Sequence, residues 1–241
     1  YPFEKDRYYH AHKAYGRHDG DTIIVERSND VIPRIVAIHH HNTDNPIKIP
    51  STCPVCGHVL VQNGPQLFCQ NSDCNGQILG KMIQFVSRDG MNIVGLGGSI
   101  LEVFLEKGYI QSYADIYRLD RYEKDILSLD KFGTRKYQNL QKSVKNSTNP
   151  TLSQFLYALG IPLVGKKTAK DLARAYGTLD KFLLASYQSL IEIDDINSVT
   201  ASSIMEWLED ENHKRMIQDL MQYIQIKEET KSTNELAGKS F

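Results

Sequence analysis

Hydrophobic and polar positions change their rhythm along the chain. In the first fifty residues the apolar positions gather in short β-branched runs. Thr22-Ile23-Ile24-Val25-Glu26-Arg27 predicts one strand, Ser28-Asn29-Asp30 a turn, and Val31 to Ile38 a second strand interrupted at Pro33. Asp19-Gly20-Asp21 supplies the turn ahead of them. Two or three strands do not make a stable sheet alone, so this region reads as part of a small barrel over residues 1–50, with the polar stretch Asn42 to Pro50 as its exit. From Gln77 the spacing becomes helical, with a buried stripe at Ile78, Met82, Ile83, Phe85 and Val86.

A repeat follows. Ile93-Val94-Gly95-Leu96-Gly97 precedes Ile100, Leu101, Phe104 and Leu105 in a helix ended by Gly108, and Leu127 to Gly133 precedes Tyr137, Leu140 and Val144. Leu159-Gly160-Ile161-Pro162-Leu163-Val164-Gly165 precedes Ala169, Leu172 and Ala173 in a helix ended by Gly177, and Leu190 to Asn197 precedes Val199, Ile204, Trp207 and Leu208. These are four helix–tight turn–helix units, closed by a helix over roughly Asn212 to Ile224. Lys227 to Asn234 is charged, poor in apolar residues and reads as a linker.

Composition narrows the class. The 241 residues are 41% hydrophobic and carry 28 Lys+Arg against 29 Asp+Glu, which excludes disorder of the whole chain and leaves apolar material for one or two cores. No run approaches the ~18–20 apolar residues of a bilayer span. The chain opens Tyr1-Pro2-Phe3-Glu4-Lys5, neither a signal nor a transit peptide, and reads as a piece of a longer protein. The near-zero net charge hides a strong asymmetry. From Lys131 to Arg174 the acid Asp171 faces Lys131, Arg135, Lys136, Lys142, Lys145, Lys166, Lys167, Lys170 and Arg174. From Glu192 to Asp219 the balance reverses, through Asp194, Asp195, Glu206, Glu209, Asp210 and Glu211. A solvated helical face is the ordinary reading of a charge run, but this basic block coincides with the repeated turns.

Two constellations carry chemistry. The four cysteines form Cys53-x2-Cys56, twelve residues, then Cys69-x4-Cys74, two close pairs that suit tetrahedral zinc in a small ribbon over residues 51–78 whose hairpin lies within Val59 to Phe68. Two disulfides or four unpaired thiols are the alternatives. An all-cysteine site leaves no open coordination position, so the zinc would be structural. His39-His40-His41 reads as surface or structural, because alternating strand faces prevent convergence. The second constellation is the tandem turn. A glycine-bearing turn lets successive N–H groups approach a phosphate at a helix N-terminus, and nearby Lys or Arg neutralises charge without reading bases. The candidate DNA contacts are Gly160 to Gly165 with Lys166 and Lys167, Lys131 and Gly133 with Arg135 and Lys136, and Gly95 with Gly97. The fourth unit has Asp195 and Asn197 where glycine is expected, and is expected to pack rather than bind. No GxxxxGK[ST], HExxH or GxSxG occurs, and Arg17-His18-Asp19-Gly20 is set aside because an arginine cannot be an attacking amine.

Taken in order, these features resemble the C-terminal half of the bacterial NAD-dependent DNA ligases. Gly20-Asp21-Thr22 and Asn29-Asp30-Val31-Ile32-Pro33 resemble the later strands of that family's oligonucleotide-binding (OB) barrel; Cys53-Pro54-Val55-Cys56-Gly57 with Cys69 and Cys74 resembles its zinc module. Phe85 to Gly97 resembles the entry to its helix-hairpin-helix domain and Ala158 to Gly165 the third hairpin, while Leu236 to Phe241 resembles the start of its BRCT domain. Residues 1–16, the fourth hairpin and Asn75-Gly76-Gln77 depart from the family pattern. The resemblance implies a multidomain, mainly α architecture: a partial OB-like β-barrel (1–50), a four-cysteine zinc finger (51–78), a helix-hairpin-helix domain with four hairpins (79–226), and a linker with the start of a BRCT domain (227–241).

It further implies a cytoplasmic parent enzyme that seals 3′-hydroxyl/5′-phosphate nicks in duplex DNA during replication and repair, using NAD and Mg2+. In that scheme this part grips nicked DNA beside the parent's own adenylation domain and is inactive alone. A stand-alone, non-catalytic DNA-binding module and a protein-interaction scaffold are the competing readings.

Overall fold

The computed structural model describes residues 20–28, 32–42, 50–63, 66–71, 73–130 and 132–227. Residues 1–16 and the expected start of a BRCT domain at 236–241 lie outside the described residues. The chain falls into two compact units, residues 1–80 and 81–241. The described fold is mainly helical, with two small antiparallel sheets. No helix among the described residues is long and apolar enough to cross a membrane.

In the first unit β1 (Thr22–Ser28) pairs with β2 (Ile32–His40), Ile23 facing Ile38 and Val25 facing Ile35, with register irregularities after Thr22 and Ile24. Pro33 lies within β2, in register with Arg27, and does not interrupt it. Among the described residues β2 pairs with β1 alone, and the outer edge of a strand tolerates a residue without an N–H. The open end of the hairpin is tied by side chains. The Asn42 amide donates to the Gly20 carbonyl (2.8 Å) and to the Thr22 hydroxyl (2.9 Å), and His41 Nδ1 lies 3.0 Å from the Asp21 carboxylate. A second hairpin pairs β3 (Leu60–Asn63) with β4 (Gln66–Cys69), Leu60 facing Cys69.

Helix α1 (Asn75–Val86) carries the boundary between the units, between Gly80 and Lys81. It begins two residues before the expected Gln77. The second unit continues with α2 (Gly98–Glu106), a 3-10 stretch (Tyr113–Tyr122), α3 (Glu123–Leu127), α4 (Thr134–Asn146), α5 (Leu152–Ala158) and α6 (Lys166–Tyr176). It ends with α7 (Leu179–Leu183), α8 (Tyr187–Ile191), α9 (Ser198–Glu209) and α10 (Glu211–Leu220). The final helix stops four residues short of the expected Ile224, and the chain beyond it docks: Gln225 N–H donates to the Thr148 carbonyl and Lys227 N–H to the Pro150 carbonyl, both at 2.8 Å.

The periodic apolar positions form one core in this unit. Phe85, Leu101, Phe104, Leu140, Leu172 and Ile204 are fully buried, and the rings of Phe85 and Tyr113 stack at 4.3 Å. Burying a Leu or Phe side chain contributes about 1.5–3 kcal/mol, so this stripe holds short helices that would not persist alone. Local capping fixes where they start. Thr151 and Gln154 form a reciprocal box at the head of α5, and Asp115 accepts from the Gln111 and Ser112 N–H groups ahead of the 3-10 stretch. Arg118 then ties that stretch to the end of the unit, donating at 2.6 Å to the Tyr223 hydroxyl and at 2.6 Å to the Asp219 carboxylate.

Candidate metal centre and nucleic-acid interface

The four cysteines come together from two tight turns. After Cys53 the chain reverses, with Gly57 N–H donating to the Cys53 carbonyl (2.8 Å) and Cys53 N–H to the His58 carbonyl (2.7 Å), which brings Cys56 back toward Cys53. The second pair spans the end of β4 and the head of α1. Cys74 N–H donates to the Asn71 carbonyl (3.1 Å), and the Gln77 amide reaches back to the Cys69 carbonyl (2.9 Å). All four sulfurs lie within 4.8 Å of one another, with Cys53–Cys74 at 3.8 Å and Cys56–Cys69 at 3.5 Å. A disulfide needs about 2.05 Å between sulfurs, so the thiols are unbonded. Four sulfurs about 2.3 Å from a tetrahedral zinc stand about 3.8 Å apart. The cluster therefore has the donor set and the spacing to hold a metal ion such as zinc.

Its electrostatics favour a cation. The His58 N–H holds the Cys56 thiol down, at about 6. At Cys69 the Asn71 N–H favours the thiolate, but desolvation and the three neighbouring sulfurs outweigh it and push the thiol up to about 12. Crowded thiolates resist full deprotonation until a positive ion sits among them. Among the described residues this is the one group of three or more His, Cys, Asp or Glu able to converge on a metal.

The four tight turns share a backbone pattern that glycine spacing only partly reveals. In each, the residue immediately before the following helix caps it in extended conformation. Gly97 precedes α2 (φ −79°, ψ 172°), Gly133 precedes α4 (φ −77°, ψ 169°), Gly165 precedes α6 (φ −82°, ψ −178°) and Asn197 precedes α9 (φ −83°, ψ 171°). Two residues earlier the chain is left-handed at Gly95 (φ 95°), Leu163 (φ 65°) and Asp195 (φ 66°). The matching position of the second turn is Lys131, an expected DNA contact that lies outside the described residues.

Neither backbone nor packing requires the three capping glycines. Their φ values suit any residue, and a Cβ built at Gly97, Gly133 or Gly165 would meet nothing within 4 Å. None of the three supplies a side-chain acceptor, so the first N–H groups of α2, α4 and α6 have no side-chain cap there. The fourth turn differs at this point: Asn197 accepts from Thr200 N–H at 2.9 Å.

The basic side chains sit around these turns. Arg135, Lys136, Lys166 and Lys167 are exposed, and the Lys136 ammonium lies 4.7 Å from the centre of the Phe132 ring. Both lysines of the third turn have acidic partners. Lys166 pairs with Asp89 at 2.5 Å, and Lys167 pairs with Asp195 of the fourth turn, whose carboxylate holds the ammonium above its ordinary range. Ser203 of α9 also donates to the Pro162 carbonyl (3.1 Å), so the fourth unit packs against the third. By glycine spacing alone Asp195 and Asn197 are lost glycines. In the folded chain they are replacements that keep the turn, since Asp tolerates the left-handed region and Asn caps.

The chain is also similar to known proteins. Residues 154–217 match the family described as helix-hairpin-helix motif, which spans the third and fourth units. The chain is 40% identical over 205 residues to a protein named DNA ligase from Clostridium botulinum (strain 657 / Type Ba4), covering 84% of this chain and 31% of that protein. It is 37% identical over 228 residues to the DNA ligase of Clostridium tetani (strain Massachusetts / E88), covering 92% and 34%, and 37% identical over 227 residues to that of Clostridium novyi (strain NT), with the same shares. The chain thus spans about a third of the length of the curated relatives it matches.

Proposed function

The chain is homologous, over most of its own length, to about a third of the length of clostridial DNA ligases, and on that premise we propose that it is the DNA-gripping part of an NAD-dependent ligase acting on nicks with a 3′-hydroxyl and a 5′-phosphate. Its role is positioning rather than chemistry. Holding both strands so that the broken ends stay aligned converts a bimolecular encounter into an intramolecular one. Adenylyl transfer from NAD and the Mg2+ that supports it belong to the remaining length of the parent, and this chain alone is catalytically inactive.

One observation carries the reading. Three helices are entered through glycines that neither the backbone nor the protein interior demands, and basic side chains stand beside two of them. A missing Cβ that faces open space is explained by something outside the chain approaching closely. A DNA phosphate fits: it accepts from the uncapped N–H groups, is favoured by the positive end of each helix and is neutralised by Arg135, Lys136, Lys166 and Lys167. Such contacts grip without reading sequence, as an enzyme that seals nicks wherever they occur requires. The fourth turn, whose own Asn197 fills the cap, serves as the third turn's structural partner. The four cysteines hold a structural zinc in a ribbon, and β1–β2 belong to an OB-type barrel.

Lys166→Ala with Lys167→Ala tests the grip. Affinity for duplex DNA should fall on every sequence, and the slope of log affinity against log salt should lessen by about 1.8, near 0.9 for each phosphate no longer neutralised. An unchanged slope would remove the third turn from the interface.

A further inference from the structure

Beside the third turn lies a cleft that the turn geometry does not use. The chain leaving α1 reverses at Ser87-Arg88-Asp89-Gly90, where Gly90 N–H donates to the Ser87 carbonyl (3.0 Å) and Met91 N–H to the Phe85 carbonyl (2.8 Å). The bend is too tight for a side chain, since a Cβ on Gly90 would lie 2.6 Å from the Phe85 carbonyl oxygen. This turn carries Arg88 and Asp89 to one wall of a cleft of about 280 Å³, with α5 and α6 forming the rest. Arg88, Lys166 and Lys170 line it against one carboxylate, Asp89, and Tyr157 adds a hydroxyl, while the Thr151 hydroxyl at its edge is engaged in the α5 cap. Asp89 pairs with Lys166, whereas among the described residues Arg88 and Lys170 have no acidic partner.

We propose that this cleft is a second phosphate site, separate from the N–H groups at the head of α6, in which Arg88 and Lys170 hold the oxyanion and Asp89 yields Lys166 to it. The chemistry is that of a tetrahedral dianion or diester: a concave site with surplus positive charge and a hydroxyl donor offers it charge-assisted hydrogen bonds from several sides. The Asp89–Lys166 pair is about half exposed on both sides and therefore weak, so an incoming phosphate can replace the carboxylate. Asp89 then restrains loose anion capture. A phosphodiester of the duplex held by the third turn is the source that follows from the proposed function, on which this part of the inference rests; a free phosphate or nucleotide shares the same chemistry.

Arg88→Ala with Lys170→Ala is the informative variant, because both side chains are exposed and without acidic partners among the described residues, and the melting temperature should not move. Duplex binding across a salt series and titration with inorganic phosphate, followed in both the parent chain and the variant through the backbone amide NMR signals of Asp89, Gly90 and Lys166, separate the sources. Duplex affinity falling about tenfold or more, with the salt slope reduced by about 0.9 as one phosphate is no longer neutralised, assigns the cleft to the DNA backbone. Unchanged duplex binding with loss of a saturable phosphate titration assigns it to a free phosphate. Asp89→Asn should tighten whichever ligand binds by severalfold. If the double variant changes neither binding curve, the site does not exist. If the parent chain fails to bind any duplex, the proposed function fails while the phosphate titration still judges the cleft.

Discussion

Replacing Gly165 by Asn would transplant the fourth turn's helix cap into the third. At Asn197 the side-chain oxygen accepts from the N–H three residues on, Thr200, at 2.9 Å. The corresponding donor after Gly165 is Thr168 N–H, for which the cap supplies no side-chain acceptor. The φ and ψ at the two caps differ by 1° and by 11° across ±180°, and a Cβ at 165 meets nothing within 4 Å, so the substitution fits without strain. An Asn cap is better than Gly by a few tenths of a kcal/mol, so folding stability should rise slightly. Binding should move the other way. The new side chain takes an N–H that a phosphate would use and fills the space through which it approaches. A hydrogen bond to a charged group contributes about 1.5–3 kcal/mol, and about 1.4 kcal/mol is tenfold, so duplex affinity should weaken by roughly 10- to 100-fold. Urea denaturation and fluorescence anisotropy on a labelled duplex at one fixed salt concentration read the two quantities. The reverse change, Asn197→Gly, should lower stability by a few tenths of a kcal/mol and leave DNA affinity alone. If Gly165→Asn binds DNA as tightly as the parent chain, the open glycine caps are not phosphate sites.

Three more outcomes are expected. Leu163 is 60% exposed in the left-handed region at φ 65°; Leu163→Gly should relieve about 1 kcal/mol of backbone strain, read as a higher melting temperature, and no gain would mean the surroundings already relieve it. On the proposed zinc ribbon, Cys69→Ser should abolish stoichiometric zinc and expose residues 51–78 to proteolysis, because a metal held by four cysteines would supply much of so small a segment's folding energy; retained zinc at one per chain would refute the ligand set. Arg118→Ala removes the bonds to Tyr223 and Asp219 and should cost about 1–3 kcal/mol of stability with unchanged DNA affinity, a combination that urea titration and anisotropy check together.

Much of the fold is legible in the order of residues, for identifiable reasons. Apolar periodicity marks the buried face of the longer helices, so Leu101, Phe104, Leu140, Leu172 and Ile204 fall in the core as expected, whereas Val199 at the head of α9 is 65% exposed. Paired cysteines announce their convergence because both pairs are local and need only two tight turns. Glycines mark the first three hairpins but misrepresent the fourth, since backbone conformation, not glycine itself, is what the turn needs, and Asp195 with Asn197 supplies it. Leu163 leaves no trace, because a leucine in the left-handed region is set by its flanking turn rather than by its own preference. Ion pairs are invisible for a different reason. Asp89 and Lys166 lie 77 positions apart, and Arg118 and Asp219 lie 101 apart, so only the packed chain brings them together.

Whether the hairpin turns grip phosphates is decided by binding to a nicked duplex beside an otherwise identical intact duplex, across a salt series. Affinity should fall by orders of magnitude from low to moderate salt, linearly in the logarithms, as several neutralised phosphates require, with tighter binding to the nicked duplex. Affinity that ignores salt, or an absence of binding to either duplex, would overturn the phosphate grip.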